Sequence, residues 1–534
     1  MVACSQPMAA EIGLDILKQG GSAVDAAIAA NAALGLMEPH MCGMGGDLFA
    51  IVWDAKSQSL HGLNASGRSP KSLSYDLLMQ RLAADDSESI PIHDLLAVSV
   101  PGAVDGWFEL HKRFGALSMS SLLQPTIEFA ENGFNVTPVI AGEWDEYSRR
   151  PEQAVKGDFD KVFRPNGKAP ANGELFKNPD LACSYRAIAE RGRAGFYEGE
   201  IAHSIAQFMA ENDGYISEED LGAHQSEWVT PLSVKYRGYD VYELPPNGTG
   251  MAALQMFKML NSFDLSANEA LSADTIHLMI EVKKLAFEDR GRFYADPDFS
   301  PAPIEALLSD EYRDARKALI SHDAASAVTA GDPVLRQSDT TYLTTADSEG
   351  NMVSLIQSIF HPFASGVVAP GTGFTLQNRG LLFSLDPLHA NVYAPNKRPF
   401  QTIIPAFIMR DGKPFMSFGV MGGDMQPQGH TQVISNILDF NMELQEAGNK
   451  PRWRHDGSTQ PIDNVGDSLS DGGVMIMESG FSDEVIADLE SRGHKVSFED
   501  KGMGFGGYQA IMCKEGGGYL GASESRKDGC ALGY

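Results

Sequence analysis

The feature that most restricts the fold is a change of sequence pattern near residue 339. Before it, apolar residues recur mainly at the three-to-four spacing of helices, apart from a strand predicted at 48–54 and a strand pair predicted within 231–246. After it, residues 340–480 form short alternating runs separated by turn residues, a pattern typical of strands. No low-complexity linker lies between the two parts. The sequence therefore predicts one layered α+β domain rather than two domains.

Local patterns predict several elements within these parts. Ser5 is a candidate cap for a first helix, and the alanine-rich run SAVDAAIAANAALGL predicts a second, buried helix. The run MCGMGGDLFAIVWD predicts a glycine turn that leads into a strand. Residues 55–95 are polar and are expected to be mainly loop. The pair Asp411-Gly412 between two apolar runs predicts a β-hairpin.

Composition and charge exclude several classes of function. The chain has 42 basic and 71 acidic residues and a net charge of −29, which disfavours nucleic acid and anionic lipid as partners. No run approaches the roughly 18 apolar residues of a membrane span, and the N-terminus lacks a signal-peptide pattern. We therefore expect a cytoplasmic protein, or a periplasmic one if a leader has been removed. The five scattered cysteines argue against a disulfide framework and against a zinc site.

The common catalytic motifs are absent from the sequence. There is no H-E-x-x-H, no G-x-S-x-G and no Walker A loop, and the thirteen histidines show no recognisable metal-ligand spacing. The glycine cluster at 43–46 precedes a strand instead of opening a helix, so a tight turn is the better interpretation than a phosphate loop. We expect no cofactor and no metal.

Thr340 is the best remaining candidate for a catalytic residue. In isolation, Thr340-Thr341 resembles an ordinary strand entry. The preceding residues 331–339 are loop-like, and the following strand would present Thr340 at one end of a sheet. A threonine hydroxyl needs an adjacent base. Cleavage before Thr340 would supply one, because the freed α-amino group has a pKa of roughly 7.7–8.0.

The chain resembles the γ-glutamyltransferase family over nearly its whole length. The matching blocks occur in the family's order, and they include MVACSQPMAAEIGLDILKQGG, VSVPGAVDGWFELHKRFG, YRGYDVYELPP, PNKRP, VMGGD and GASESRKDGCALGY. The resemblance implies the four-layer αββα fold of N-terminal-nucleophile hydrolases. It also implies self-cleavage between Asp339 and Thr340 into a large chain, 1–339, and a small chain, 340–534, which together form one structural domain.

The resemblance also implies roles for individual residues. Thr340 matches the nucleophile, and Gly422 and Gly423 match the backbone donors of the oxyanion hole. Ser358 occupies the position of a threonine that contacts the nucleophile during processing.

The family motifs that bind a γ-glutamyl group are altered in this sequence. The arginine of R-E-x-A-P is displaced by two positions, to Arg68. The acid that meets the substrate amine is replaced by Leu382, and a nearby glutamine is replaced by Arg379. Loss of an acid together with gain of a cation favours an acyl group that carries a negative charge and no amine. The candidate residues for acyl-group preference are Arg68, His361, Arg379, Gln401, Thr402 and Asp424.

Three hypotheses remain at this point. The leading one is an autoprocessed amidohydrolase near the cephalosporin-acylase-like and oxamate-amidohydrolase-like branch of the family, acting on a small-molecule amide. The second is a γ-glutamyltransferase or glutathione hydrolase with a rearranged pocket. The third is an unprocessed, inactive homologue that acts as a binding protein. The large and small chains are expected to stay associated, and a homodimer is compatible with the sequence.

Overall fold

The computed structural model describes residues 1–149, 155–326, 339–465, 472–499 and 503–534. Its α-helices are α1 (Pro7–Lys18), α2 (Ala23–Met37), α3 (Tyr75–Ala84), α4 (Ala103–Phe114), α5 (Met119–Asn132), α6 (Pro138–Ser148), α7 (Phe159–Phe163), α8 (Pro179–Arg191), α9 (Ala194–Tyr197), α10 (Glu200–Glu211), α11 (Glu218–Gly222), α12 (Gly250–Leu260), α13 (Ala273–Phe293), α14 (Ile304–Leu307), α15 (Asp310–Lys317), α16 (Met425–Leu438), α17 (Leu444–Asn449) and α18 (Asp483–Ser491).

The strands form two large sheets and three small ones. In chain order they are β1 (Val2–Cys4), β2 (Asp47–Asp54), β3 (Ser59–Ala65), β4 (Phe134–Asn135), β5 (Lys156–Gly157), β6 (Leu175–Phe176), β7 (Glu227–Val229), β8 (Leu232–Tyr236), β9 (Tyr239–Glu243), β10 (Asp339–Ala346), β11 (Met352–Phe360), β12 (Val367–Val368), β13 (Ala406–Arg410), β14 (Lys413–Met421), β15 (Trp453–Asp456), β16 (Val474–Met477), β17 (Val496–Phe498), β18 (Gly507–Cys513), β19 (Tyr519–Ser523) and β20 (Cys530–Leu532). The first large sheet has the order β20-β1-β10-β11-β2-β3-β7, and the second has the order β19-β18-β14-β13-β9-β8.

Both large sheets combine strands from the two parts of the sequence. In the first sheet, β10 pairs antiparallel with β1 and β11, and β11 pairs antiparallel with β2. In the second sheet, β13 pairs with β9 on one side and with β14 on the other. A cut before Thr340 would therefore leave each sheet built from both products.

Three apolar cores separate four layers. One core lies between the first sheet and the helices of its outer face, which include α1, α2, α4, α5 and α8. A second lies between the two sheets and includes Phe49, Tyr342, Ile356 and Phe407. The third lies between the second sheet and α12, α13 and α16. The predicted four-layer αββα architecture is confirmed.

Several local predictions need correction. Gln6, not Ser5, caps α1, because its side-chain oxygen accepts from the N–H of Met8. Residues 55–95 contain β3 and α3 besides loop, because β3 pairs along the whole length of β2 and contributes Leu63 to the core. Residues 425–449 within the predicted strand region form α16 and α17. The hairpin at Asp411-Gly412 is confirmed, since both residues have positive φ and Arg410 pairs with Lys413.

Among the helices of the described ranges, none combines the length and apolar composition that a bilayer crossing requires. Of the predicted loop at 331–339, the last residue, Asp339, is instead the first residue of β10, and residues 331–338 lie outside the described residues.

Candidate active site

Thr340 lies at the beginning of β10, where the ladder with β11 is irregular. Asp339 pairs with Phe360 while Thr341 pairs with Gln357, so Thr340 alone faces two residues of β11, Ser358 and Ile359. Such bulges re-aim side chains at the ends of strands. Thr340 is 1% exposed, and its Oγ1 has no hydrogen-bond partner among the described residues. The structure thus presents a buried hydroxyl that the fold itself does not use.

The alternation of β10 directs Thr340 toward the second sheet. Thr344 hydrogen-bonds through its hydroxyl to Ser417 of β14, and the ring of Tyr342 packs directly against Gly419. Thr344 thus faces Ser417, and Tyr342, two residues earlier on β10, faces Gly419, two residues later on β14. If the series continues through the bulge, Thr340 lies opposite Met421, the residue before Gly422.

Gly422 and Gly423 form the turn between β14 and α16. Their φ angles are 117° and 54°, in the region that favours glycine. Among the described residues, neither N–H donates to a main-chain carbonyl outside the regular elements. They also lie at the N-terminus of the fourteen-residue helix α16, where the helix dipole favours negative charge. Main-chain donors beside a helix N-terminus are compatible with an oxyanion hole, and that role of Gly422 and Gly423 stays a prediction.

Asp424, the N-cap residue of α16, holds this turn through its side chain. Its carboxylate accepts two hydrogen bonds from Arg290 of α13, at 2.6 and 3.2 Å, and one from Gln460 at 2.6 Å. Burial alone would raise the pKa of Asp424, but Arg290, Lys283 and Gln460 hold it below its usual value. These contacts hold the Asp424 carboxylate in place beside the Gly422–Gly423 turn, and its predicted role in substrate binding stays a prediction.

Removal of the two hydrogen bonds from Arg290 to Asp424 is expected to lower kcat more than it changes KM. Arg290→Met leaves the half-buried Asp424 without its cation, so the adjacent turn is expected to shift. We expect kcat to fall on the order of 100-fold, because small displacements of catalytic donors have effects of that size. KM for an amide substrate should change little. The matched control is Arg292→Met, at an exposed position of the same helix. A rise in KM with unchanged kcat would contradict the positioning role.

Asp47 lies in a row with Thr340 and Ser358, across the neighbouring strands β10, β11 and β2 of the first sheet. It pairs with Ser358 across β2 and β11, and Ser358 lies opposite Thr340. Asp47 is fully buried; Oδ1 accepts hydrogen bonds from Gly67 N, Gly102 N and Gln377 Nε2, and Oδ2 accepts one from Gln401 Nε2. Burial raises its pKa, although Arg379 and these hydrogen bonds oppose the shift.

Sequence reasoning did not identify Asp47 as a site residue. The available signal was an aspartate that directly follows the glycine turn at 43–46 and begins an otherwise apolar strand.

Arg379 lies beside Asp47 with much of its guanidinium unpaired. It is fully buried, Nη1 is 3.4 Å from Thr402 Oγ1, and Nε is 4.0 Å from Asp47 Oδ2. Nε and Nη2 have no hydrogen-bond partner among the described residues. The guanidinium lies 5.3 Å from the ring centre of Phe360, a residue with φ of 82°. Burial lowers its pKa to about 10, against the effect of Asp47, so the side chain stays charged at neutral pH.

The predicted substrate-binding residues have different partners in the structure. Arg379, Thr402 and Gln401 are connected through contacts with each other or with Asp47. The Arg68 guanidinium forms ion pairs with Asp296 and Asp298, while the N–H of the preceding residue, Gly67, donates to Asp47. The His361 ring lies against Phe360, and the main-chain N–H of His361 donates to Asn378 Oδ1. Ser358 accepts a hydrogen bond from the N–H of Phe360 at 2.9 Å.

Comparisons with known proteins cover the whole chain. Residues 9–534 match the family model described as gamma-glutamyltranspeptidase. The chain is 37% identical to the glutathione hydrolase-like YwrD proenzyme of Bacillus subtilis, covering 100% of this chain and 98% of the relative. It is 32% identical to the oxamate amidohydrolase proenzyme of Klebsiella pneumoniae, with 100% and 98% covered. A crystal structure of cephalosporin acylase from Bacillus halodurans matches with a TM-score of 0.89 and 41% identity, covering 100% of this chain and 96% of the other.

Proposed function

Because the chain belongs to the γ-glutamyltranspeptidase family, we propose that it is an autoprocessed amidohydrolase with Thr340 as its nucleophile. The observation that supports this most is the buried, unpartnered Thr340 hydroxyl, at a strand bulge directed toward the Gly422–Gly423 turn. A nucleophile and main-chain donors on facing strands are what acyl transfer requires.

Processing would use the same hydroxyl. Thr340 Oγ1 attacks the carbonyl carbon of Asp339 and the amide C–N bond breaks, so the acyl group moves from nitrogen to oxygen. Water then hydrolyses the ester, which releases the Asp339 carboxylate and a free Thr340 with an α-amino group. In this proposal Ser358, which lies opposite Thr340 on β11, would hydrogen-bond to the reacting groups. The products are 1–339 and 340–534.

The processed chain would then hydrolyse an amide in two steps. The α-amino group of Thr340 takes the hydroxyl proton, and Oγ1 attacks the substrate carbonyl carbon. The N–H groups of Gly422 and Gly423 stabilise the oxyanion, and the amine leaves with the proton. Water, activated by the same amino group, resolves the acyl-enzyme. In this proposal water accepts the acyl group, and transfer of that group to an acceptor amine is the alternative.

The acyl group we propose carries a carboxylate. Arg379 is charged, buried and has two nitrogens without acceptors, an arrangement that costs free energy unless a ligand supplies the missing acceptors. A planar carboxylate matches a guanidinium in charge and geometry. Thr402 Oγ1 lies 3.4 Å from Arg379 Nη1 and would contribute a further polar contact, while Gln401 donates to the neighbouring Asp47.

A γ-glutamyl substrate is the second candidate, favoured by one observation. Asp47 places a carboxylate 4.0 Å from Arg379 Nε, so an acid is available to meet a substrate amine despite the loss of the family's acid at Leu382. However, the Asp47 oxygens already accept four hydrogen bonds. We therefore favour a dicarboxylic acyl group without an amine.

A panel of p-nitroanilides separates these candidates. Glutaryl, γ-glutamyl and butyryl anilides have similar length and differ in carboxylate and amine. We expect the purified enzyme to hydrolyse the glutaryl compound with the highest kcat/KM, and the uncharged butyryl compound at least about 100-fold more slowly, because an unpaired buried cation costs a few kcal/mol. Turnover of the γ-glutamyl compound alone would favour the second candidate. A processed chain that turned over none of the three would refute the proposed acyl class.

A further inference from the structure

A second cluster of chemically active side chains lies away from the active site. His277 and Glu281 are one turn apart on α13, and His494 follows α18. All three are buried, with exposures of 0, 1 and 7%. Their nearest ligand-type atoms all lie within 4.8 Å of one another. His494 is 217 residues beyond His277, so no spacing in the sequence could indicate the cluster.

Hydrogen bonding determines the tautomer of His277. Its Nε2 is 2.7 Å from the carbonyl oxygen of Ser321, which can only accept, so Nε2 carries the proton. The lone pair of a neutral ring is therefore on Nδ1. This atom faces His494 Nε2 at 2.8 Å, with the two rings inclined at 70°. A backbone carbonyl that orients the far nitrogen is the usual support of a metal-binding histidine.

Glu281 is the acidic member of the cluster, and both of its carboxylate oxygens accept a hydrogen bond. Lys284 Nζ donates to Glu281 Oε1 at 2.7 Å, and Ser326 N donates to Oε2 at 3.0 Å. Each carboxylate oxygen retains a second lone pair. His277 Nδ1 and a carboxylate oxygen of Glu281 are thus available as ligands. His494 Nε2 donates its proton to His277 Nδ1, so it becomes the third ligand when His494 takes the other tautomer, with its proton on Nδ1.

We propose that His277, Glu281 and His494 bind a divalent first-row transition-metal ion, with Zn²⁺ as the reference case. Two imidazole nitrogens and one carboxylate oxygen form a ligand set that suits such ions. A surface cavity of about 330 Å³ borders His277, beside Asp274 and His322, and provides a path for the ion. Lys284 competes with the metal ion for the Glu281 carboxylate, and this competition limits the affinity of the site for the ion.

The site would connect the two halves of the protein. His277 and Glu281 belong to 1–339 and His494 to 340–534, so after the proposed cleavage the ion would bridge both chains. The bridging role rests on the proposed function, whereas the binding itself does not. Glu281 precedes Arg290 by nine residues of α13, about 13 Å along the helix, so the ion would lie outside the active site.

Zinc titration of the full-length protein tests this inference. After chelator treatment and removal of the chelator, calorimetry should show one saturable Zn²⁺ site, and the melting temperature should rise with Zn²⁺ concentration. His277→Gln and His494→Gln should each weaken binding by about 100-fold. His203→Gln, at an exposed histidine of α10, is the control and should bind as the wild type does. Lys284→Met should bind more tightly, because it releases Glu281.

The outcome does not depend on catalysis or on cleavage. Chelator-treated variants with a native circular dichroism spectrum separate loss of ligands from loss of fold. Equal Zn²⁺ affinity in wild type, His277→Gln and His494→Gln would overturn the proposal, as would no saturable binding by the wild type or the Lys284→Met protein. An uncleaved chain that still binds one Zn²⁺ through these residues would refute the proposed processing and leave the metal site intact.

Discussion

Thr340→Ala is expected to leave the protein as one uncleaved chain and to lower amide hydrolysis by about 10⁴-fold or more. The substitution removes the hydroxyl that we assign to processing and to catalysis, and without cleavage there is no α-amino group to act as base. Since the Thr340 hydroxyl makes no hydrogen bond to the described residues, its loss should not disturb the fold. Denaturing electrophoresis and the anilide assay measure the two effects separately.

The neighbouring threonine supplies a matched control. Thr341 is also 1% exposed, but strand alternation directs it with Leu343 toward the helical layer. Thr341→Ala should therefore be cleaved and active, and Thr340→Ser should retain part of both functions because it keeps a hydroxyl. Cleavage of Thr340→Ala at the same bond, or comparable losses in both alanine variants, would contradict the role of Thr340.

Arg379→Met is expected to lower kcat/KM for the glutaryl anilide by about 100-fold or more, the cost of leaving a substrate carboxylate unpaired in a buried site. Turnover of the butyryl anilide should change by less than about tenfold. Methionine occupies similar space and can contact the Phe360 ring, so packing is preserved. Removal of a buried cation that has unpaired donors should not lower the melting temperature appreciably.

Arg379→Lys and Arg410→Met serve as controls for this prediction. Lysine keeps the charge and loses the two-pronged geometry, so an intermediate effect is expected. Arg410 is exposed at the end of β13, and its substitution should have no effect. Equal losses for the charged and uncharged substrates in Arg379→Met would show that Arg379 supports the fold of the site instead of selecting the acyl group.

The sequence predicts the family, the layered fold and the candidate nucleophile because these depend on local patterns and ordered motifs. The comparisons confirm the family. Thr340 precedes a recognisable strand, and the hairpin at Asp411-Gly412 follows from local turn chemistry. The local predictions that were wrong also have physical reasons. Ser5 has the usual cap chemistry, but Gln6 lies closer to the first free N–H, and the polar residues of β3 are held in a strand by the length of its pairing with β2.

The electrostatic environment of the site could not be predicted because it depends on residues far apart in the chain. Asp47 meets Gln401 across 354 positions, and Arg290 meets Asp424 across 134. Arg68 was a candidate from its displaced motif, yet three acids from distant segments surround its guanidinium, namely Glu227, Asp296 and Asp298. Side-chain pairing of this kind requires the three-dimensional arrangement.

Intact-mass analysis of the purified wild-type protein, with identification of each N-terminal residue, tests the central claim most directly. Two chains should be found, one ending at Asp339 and one beginning with an unmodified Thr340. The two should copurify under native conditions, because both large sheets contain strands from each. A single stable chain of 57.7 kDa, or a cut at any other bond, would contradict the account.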